Sequence, residues 1–227
     1  MRNRDARVAG LLYALAIVIG LFTLMYLPDR LITPGDAAAT ARTILTHEFL
    51  LRLAMAGDIL AGVVWLFVVL ALYRLLHDVD PVQAALMVIL GAYMQVPLYF
   101  VNVVNYAAAL LLVKGAPYLA VFSEAQRYAL TMVFLRLHHY ELLASLLFAG
   151  LWLFPFGILV FKSRFLPRFL GIWLAVNGLA FLLVCFGGFL TPQYGSTIDA
   201  ITSPLLTGEI AITSWLLIFG ARTFGRI

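Results

Sequence analysis

Six stretches of this chain are apolar over about 20 residues or more, the length a helix needs to cross a bilayer at ~1.5 Å per residue. They fall at Val8–Leu27, Phe49–Leu76, Val82–Val113, Leu137–Phe161, Pro167–Leu190 and Ile201–Gly220. In lipid every backbone polar group must be satisfied within the segment, so stretches of this kind fold as helices. Composition agrees. Hydrophobic residues make up 64% of the chain and charged residues only 11%, against about 25% charged in a soluble domain. The expected fold is therefore an all-α, polytopic membrane protein, a six-transmembrane-helix bundle forming a single domain over residues 1–227.

The first run follows Arg2, Arg4 and Arg7 and resembles a signal peptide in its charge. It is longer than an apolar signal core, and Leu27-Pro28-Asp29 is not a small-residue cleavage site. It reads as a retained span. The last run is free of polar residues other than Thr213 and Ser214 only from Ile210 to Phe219. That is too short to cross, so the helix must begin earlier and carry Glu209 into the membrane. Pro97 and Pro155 lie inside the third and fourth spans and should kink them.

The formal net charge of +4 reads as a topology signal. No basic run with interleaved aromatics suggests a nucleic-acid partner, and membrane lipids are the expected surroundings. Arg2, Arg4, Arg7, Arg74, Lys162, Arg164, Arg168, Arg222 and Arg226 lie on one side of the membrane; Arg30, Arg42, Arg52, Lys114, Arg127 and Arg136 lie on the other. Nine against six places both termini in the cytoplasm. One cysteine, Cys185, rules out an internal disulfide and a cysteine-based zinc site.

The outer connections contain helix starts. Asp36 after Pro34-Gly35 is an N-cap for a helix over Ala37–Leu45 leading into the second span. Ser123-Glu124-Ala125-Gln126 is a capping box opening a helix into the fourth. The inner connections, His77–Pro81 and Lys162–Leu166, are short and imply antiparallel neighbours.

Against this background the acidic residues inside the spans stand out. An ionisable group in hydrocarbon is costly unless it faces protein, a partner charge or water, and is by default a functional hypothesis. Asp58 lies ~13 Å into the second helix and Glu209 ~12 Å into the sixth. Gln95, Asn102, Asn105 and Tyr106 share one face of the third. The fourth starts with Arg136, His138, His139 and Glu141, and the second with His47, Glu48 and Arg52. Polar groups thus gather at one depth in the outer leaflet, over nearly apolar inner halves. The pocket candidates are Asp58, Asn102, Asn105, Tyr106, Glu141, Glu209, Arg52 and Arg136.

Each also has a plainer reading. Glu48 and Arg52 form an i, i+4 pair, Arg136 and Glu141 can pair across helices, and asparagines in spans bond across helices for packing alone. Asp58 resists it, because Ala54, Met55, Ala61 and Gly62 flank it and offer no charge. It needs a partner from another helix or stays protonated. No metal site is expected, since no HExxH or repeated HxxxH pattern is present; His47, His138 and Glu141 come nearest to one. No catalytic residue or cofactor is indicated.

Arg7-Val8-Ala9-Gly10-Leu11-Leu12-Tyr13 and Pro34-Gly35-Asp36-Ala37-Ala38-Ala39-Thr40-Ala41 resemble segments of an uncharacterised family of bacterial membrane proteins, domain of unknown function 4386. So do His47-Glu48-Phe49, Arg52-Leu53, Asp58, Leu137-His138 and Phe165-Leu166-Pro167-Arg168-Phe169-Leu170-Gly171. The resemblance covers most of the chain, in order. It implies a six-helix bacterial inner-membrane protein and brings no activity with it. His139-Tyr140-Glu141 is more charged than the family pattern there. Three functions stay open: an outward-facing pocket for a small molecule or ion; a membrane enzyme acting on lipid by metal or acid/base chemistry; and a structural or accessory subunit with a protein partner.

Overall fold

The computed structural model describes residues 2–221. Arg222 and Arg226, used above for orientation, lie outside the described residues. Among those described there is no strand, and the architecture is an all-α polytopic bundle. Five helical stretches are long and apolar enough to cross a membrane: Arg2–Leu31, Glu48–Leu76, Pro81–Lys114, Glu124–Lys162 and Arg168–Leu190. A sixth is present if the bent pair Pro192–Thr202 and Leu205–Ile218 counts as one span.

The helices are α1 (Arg2–Gly20), α2 (Leu27–Leu31), α3 (Ala37–Thr46), α4 (Glu48–Leu76), α5 (Pro81–Val88), α6 (Val96–Lys114), α7 (Glu124–Leu151), α8 (Leu153–Lys162), α9 (Arg168–Leu190), α10 (Gly195–Thr202) and α11 (Gly208–Ile218). Both expected caps form. The Asp36 carboxylate accepts the Ala39 N–H at 2.8 Å. Gln126 Oε1 accepts the Ser123 N–H at 2.8 Å while Ser123 Oγ accepts the Gln126 N–H at 3.3 Å. The helix after Asp36 does not run on into the second span; it ends at His47, and α4 starts afresh at Glu48.

Proline explains most of the breaks. It lacks an N–H and cannot bond the carbonyl four residues back, so the ladder opens one turn upstream. Pro28 lies just after a π-helical turn, Leu21–Tyr26. Pro97 follows another, Ile89–Tyr93, and Pro155 follows the break at Trp152 between α7 and α8. The segment expected as one helix over Ile201–Gly220 is instead two helices bent by 55°. Pro204 sits in the bend, where it removes the N–H that would carry α10 through.

The contacts gather into two compact units. The first comprises Met1–Ala16, Val63–Val96 and Leu143–Ile227. Its centre is aromatic: Tyr13, Trp65 and Trp152 meet edge-on or tilted, with ring centroids 5.0–6.1 Å apart. The Trp65 indole N–H donates to the Gly91 carbonyl at 2.8 Å, and the buried Gln95 amide to Leu90 and Phe148 carbonyls at 3.3 Å. Gly91 and Leu90 lie in the π-helical turn, so two side chains bond carbonyls of the widened turn.

In the same unit α7–α8 and α9 meet along a seam of glycines. A Cβ at Gly150 would lie 2.8 Å from the Gly178 carbonyl oxygen, and one at Gly157 2.6 Å from that of Gly171. Seven residues separate the two contacts on each strand of the seam, so the backbones touch twice along one face, as small residues allow in membranes. At the turn before α5, Asp80 caps the helix and binds Lys162 Nζ at 2.8 Å. The lysine holds its carboxyl below the usual aspartate range.

The second unit comprises Ile17–Gly62 and Pro97–Leu142. Its apolar core takes Leu27 and Leu31 from α2, Ala41 and Ile44 from α3, Leu51 and Ala54 from α4, Ala109, Leu110 and Val113 from α6, and Leu135 from α7.

Candidate functional site

One turn beyond Ala54 on α4, the apolar core of the second unit gives way to polar side chains. Asp58 is 1% exposed, Thr23 1%, Asn102 2%, Tyr106 1% and His138 3%. Glu141, one turn after His138, is half-buried. Local structure puts them there. The π-helical turn carries Thr23, which packs directly on Gly57, the residue before Asp58; a Cβ at Gly57 would overlap the Thr23 methyl. Asn102 and Tyr106 are four residues apart on α6, and His138 and Glu141 three apart on α7, so each pair shares a face.

The rings of Tyr106 and His138 lie nearly against one another, with centroids 3.8 Å apart and planes inclined by 30°. His138 faces the main chain of Asn102. The Thr23 hydroxyl faces the Asp58 carboxyl without closing a hydrogen bond of ordinary geometry. Tyr106 and Glu141 both lie within electrostatic reach of Asp58. Both Asp58 oxygens, Glu141 Oε1, the hydroxyls of Thr23 and Tyr106 and both His138 nitrogens are buried without a hydrogen-bond partner among the described residues. Buried polar atoms are normally paired, so such a concentration in one place is a chemical observation. The set offers carboxyl acceptors, two hydroxyls and an imidazole, with no fixed cation.

Arg52 and Arg136 do not supply one. Arg52 is exposed and pairs with Glu48 at 2.6 Å; Glu48 also takes Lys114 at 3.0 Å. Arg136 is exposed and lies over the Tyr140 ring at 5.7 Å. Asn105 is half-buried, its amide at the limit of hydrogen bonding to Asn102 Oδ1, 3.5 Å.

The profile of a protein family described as "Domain of unknown function (DUF4386)" matches residues 8–220. The chain belongs to the DUF4386 family. No curated protein and no solved structure matches it.

In this DUF4386 chain the remaining acidic candidate has a different setting. Glu209 lies in the first unit, in the first turn of α11, where a carboxylate is favoured by the helix dipole. The Tyr13 hydroxyl donates to its carboxylate, and its N–H donates to Asn177 Oδ1 at 3.2 Å. Asn177 is fully buried on α9 and caps a helix whose own N-cap, Thr207, provides no side-chain bond. Gly208 makes room for it: a Cβ there would lie 3.1 Å from Asn177 Oδ1. Glu209 is thus already bonded inside its unit.

Among the described residues no three His, Cys, Asp or Glu side chains converge as a metal would require. His47 is exposed, its Nδ1 3.2 Å from the Thr43 carbonyl. His138, the second of the three residues that came nearest to a metal set, is buried against Tyr106. Thr23, Tyr13 and Asn177 escaped the sequence reading. For Thr23 a signal existed: the Gly57-Asp58 dipeptide marks a place where another helix approaches an acid closely.

Proposed function

We propose that this DUF4386 protein is a multi-pass protein of a bacterial inner membrane, both termini cytoplasmic, that binds a small donor-rich cation such as a primary amine at the Asp58 cluster. One observation carries the reading: a carboxyl 1% exposed inside a helix long and apolar enough to span, with no cationic side chain paired to it among the described residues. A charge left so is expensive and is kept where a ligand repays it. Three of the unpartnered atoms are carboxyl oxygens, so the complementary ligand brings N–H donors and positive charge.

Tyr106 of the cluster shares the apolar core with Ala41 and Ile44 of α3, both fully buried. In the cytoplasmic-termini orientation α3 lies on the outer side. It is bounded by Gly35, at φ +79°, and by the break at His47. On this reading α3 is the lid through which the ligand enters. An accessory subunit held together by buried ion pairs would leave no such carboxyl unpaired. A metal enzyme would require ligands that converge.

The test is thermal melting of the purified protein in neutral detergent with methylammonium, ethanolamine or putrescine, at constant ionic strength. At 100-fold over Kd a ligand adds about 2.7 kcal/mol, or roughly 5–10 °C for a chain this long. At least one amine should raise the wild-type melting temperature, and none should raise that of Asp58→Asn. If no amine stabilises the wild type, or Asp58→Asn responds equally, the reading fails.

A further inference from the structure

The loop between α8 and α9 combines features that a charge bias for topology does not require. Arg164 sits there at φ +59°, a conformation disfavoured for any residue with a Cβ. The loop around it is locked: Ser163 Oγ donates to the Val160 carbonyl at 2.8 Å and accepts the Leu166 N–H at 3.3 Å, and Phe165 and Leu166 are buried. Glycine would occupy position 164 without strain, yet the chain places an exposed arginine on it. Backbone strain of this kind gathers at functional sites.

Four residues on, Arg168 lies over the Phe161 ring, 5.4 Å from its centroid. Lys162 is neutralised by Asp80, whereas no ion pair of Arg164 or Arg168 is found among the described residues. The two arginines line an open groove of about 510 Å3 with Leu166, Pro167 and Phe169. Pro167 is the N-cap of α9 and has no side chain to cap it, so the first N–H groups of that helix add to the positive field. A smaller groove of about 370 Å3 beside Arg4 and Arg7 repeats the pattern in the same unit, near Arg2, which stacks on Phe165 at 4.9 Å.

We propose that the Arg164–Arg168 groove is a binding site for the phosphate headgroup of an anionic phospholipid. Both arginines can fork onto phosphate oxygens. The apolar half of the lining suits the glycerol and upper acyl chain, and would be wasted on a free ion. The groove lies at the ends of two spans, where headgroups are found. The site is independent of the Asp58 cluster.

The experiment is melting of the full chain in neutral detergent with added phosphatidylglycerol, phosphatidylcholine or inorganic phosphate. Phosphatidylglycerol should raise the melting temperature, less so as salt is added; the other two should not. Each arginine removed should weaken the apparent affinity roughly fivefold. Arg164→Gly is the decisive variant. It relieves the backbone, so without lipid it should melt at or above wild type while losing phosphatidylglycerol affinity; Arg168→Ala should lose it as well. Equal shifts from phosphatidylcholine, equal shifts from inorganic phosphate, or undiminished affinity in both variants would each overturn the proposal.

Discussion

Substituting Gly157 by alanine sets two known effects against each other. In an exposed helix the change stabilises by up to ~1 kcal/mol, because alanine loses less backbone entropy. At Gly157 the added Cβ would lie 2.6 Å from the Gly171 carbonyl oxygen, against 3.4 Å for an ordinary contact. The obstacle is backbone on a packed helix, so the seam must open by roughly 0.8 Å. Overpacking of that kind costs ~1–3 kcal/mol, and the second glycine contact seven residues away is strained by the same movement. The net expectation is destabilisation of about 1–2 kcal/mol, or roughly 2–8 °C in melting temperature for a chain this long. Gly20→Ala is the control, since its Cβ would meet nothing closer than a Leu24 methyl at 3.9 Å; it should be neutral or stabilising. Gly157→Ala with Gly171→Ala should cost less than the sum of the two, because the first change already opens the seam. Detergent melting monitored by circular dichroism reads the wild type and all four variants. A Gly157→Ala variant melting at or above wild type would refute the close-packed seam.

Trp65→Phe removes the donor to the Gly91 carbonyl and should cost about 1–3 kcal/mol, seen as a lower melting temperature. Tyr13→Phe should cost a similar amount, by leaving the Glu209 carboxylate without its hydroxyl donor; unchanged melting would show that this bond contributes nothing. The Asp80–Lys162 pair predicts a pH dependence. Lys162 lowers the Asp80 carboxyl, so its contribution is fully present above the ordinary aspartate value and is lost as pH falls through the lowered one. The melting difference between wild type and Asp80→Asn should therefore exist at neutral pH, shrink with added salt and vanish in acid.

Much of the fold was readable because apolar length, caps and prolines act locally. Asp36 and Ser123 announce their helices by side chains that bond their own backbone. Pro97 and Pro155 announce the breaks in the third and fourth spans, although each break falls upstream of the proline. The π-helical turn before Pro28 and the bend at Pro204 were missed, since a long apolar run hides a proline near its end. For the site, depth along a helix named Asp58, Asn102 and Tyr106 as candidates, and all three are buried. It says nothing of which side chains another helix brings alongside. Thr23 and Asn177 are ordinary residues of apolar runs until Gly57 and Gly208 let them approach. Arg52 and Arg136 lie near span ends, where water and nearby partners serve them better than a buried carboxyl would.

The central claim is that Asp58 is held unpaired for a ligand and not for helix association, and the melting of Asp58→Asn tests it most directly. The amide keeps the shape and removes an acid that no donor among the described residues bonds. A residue retained for binding at a cost in stability predicts a variant that melts at or above wild type without ligand and has lost the amine-induced shift. A variant that melts several degrees lower and keeps that shift would contradict the account.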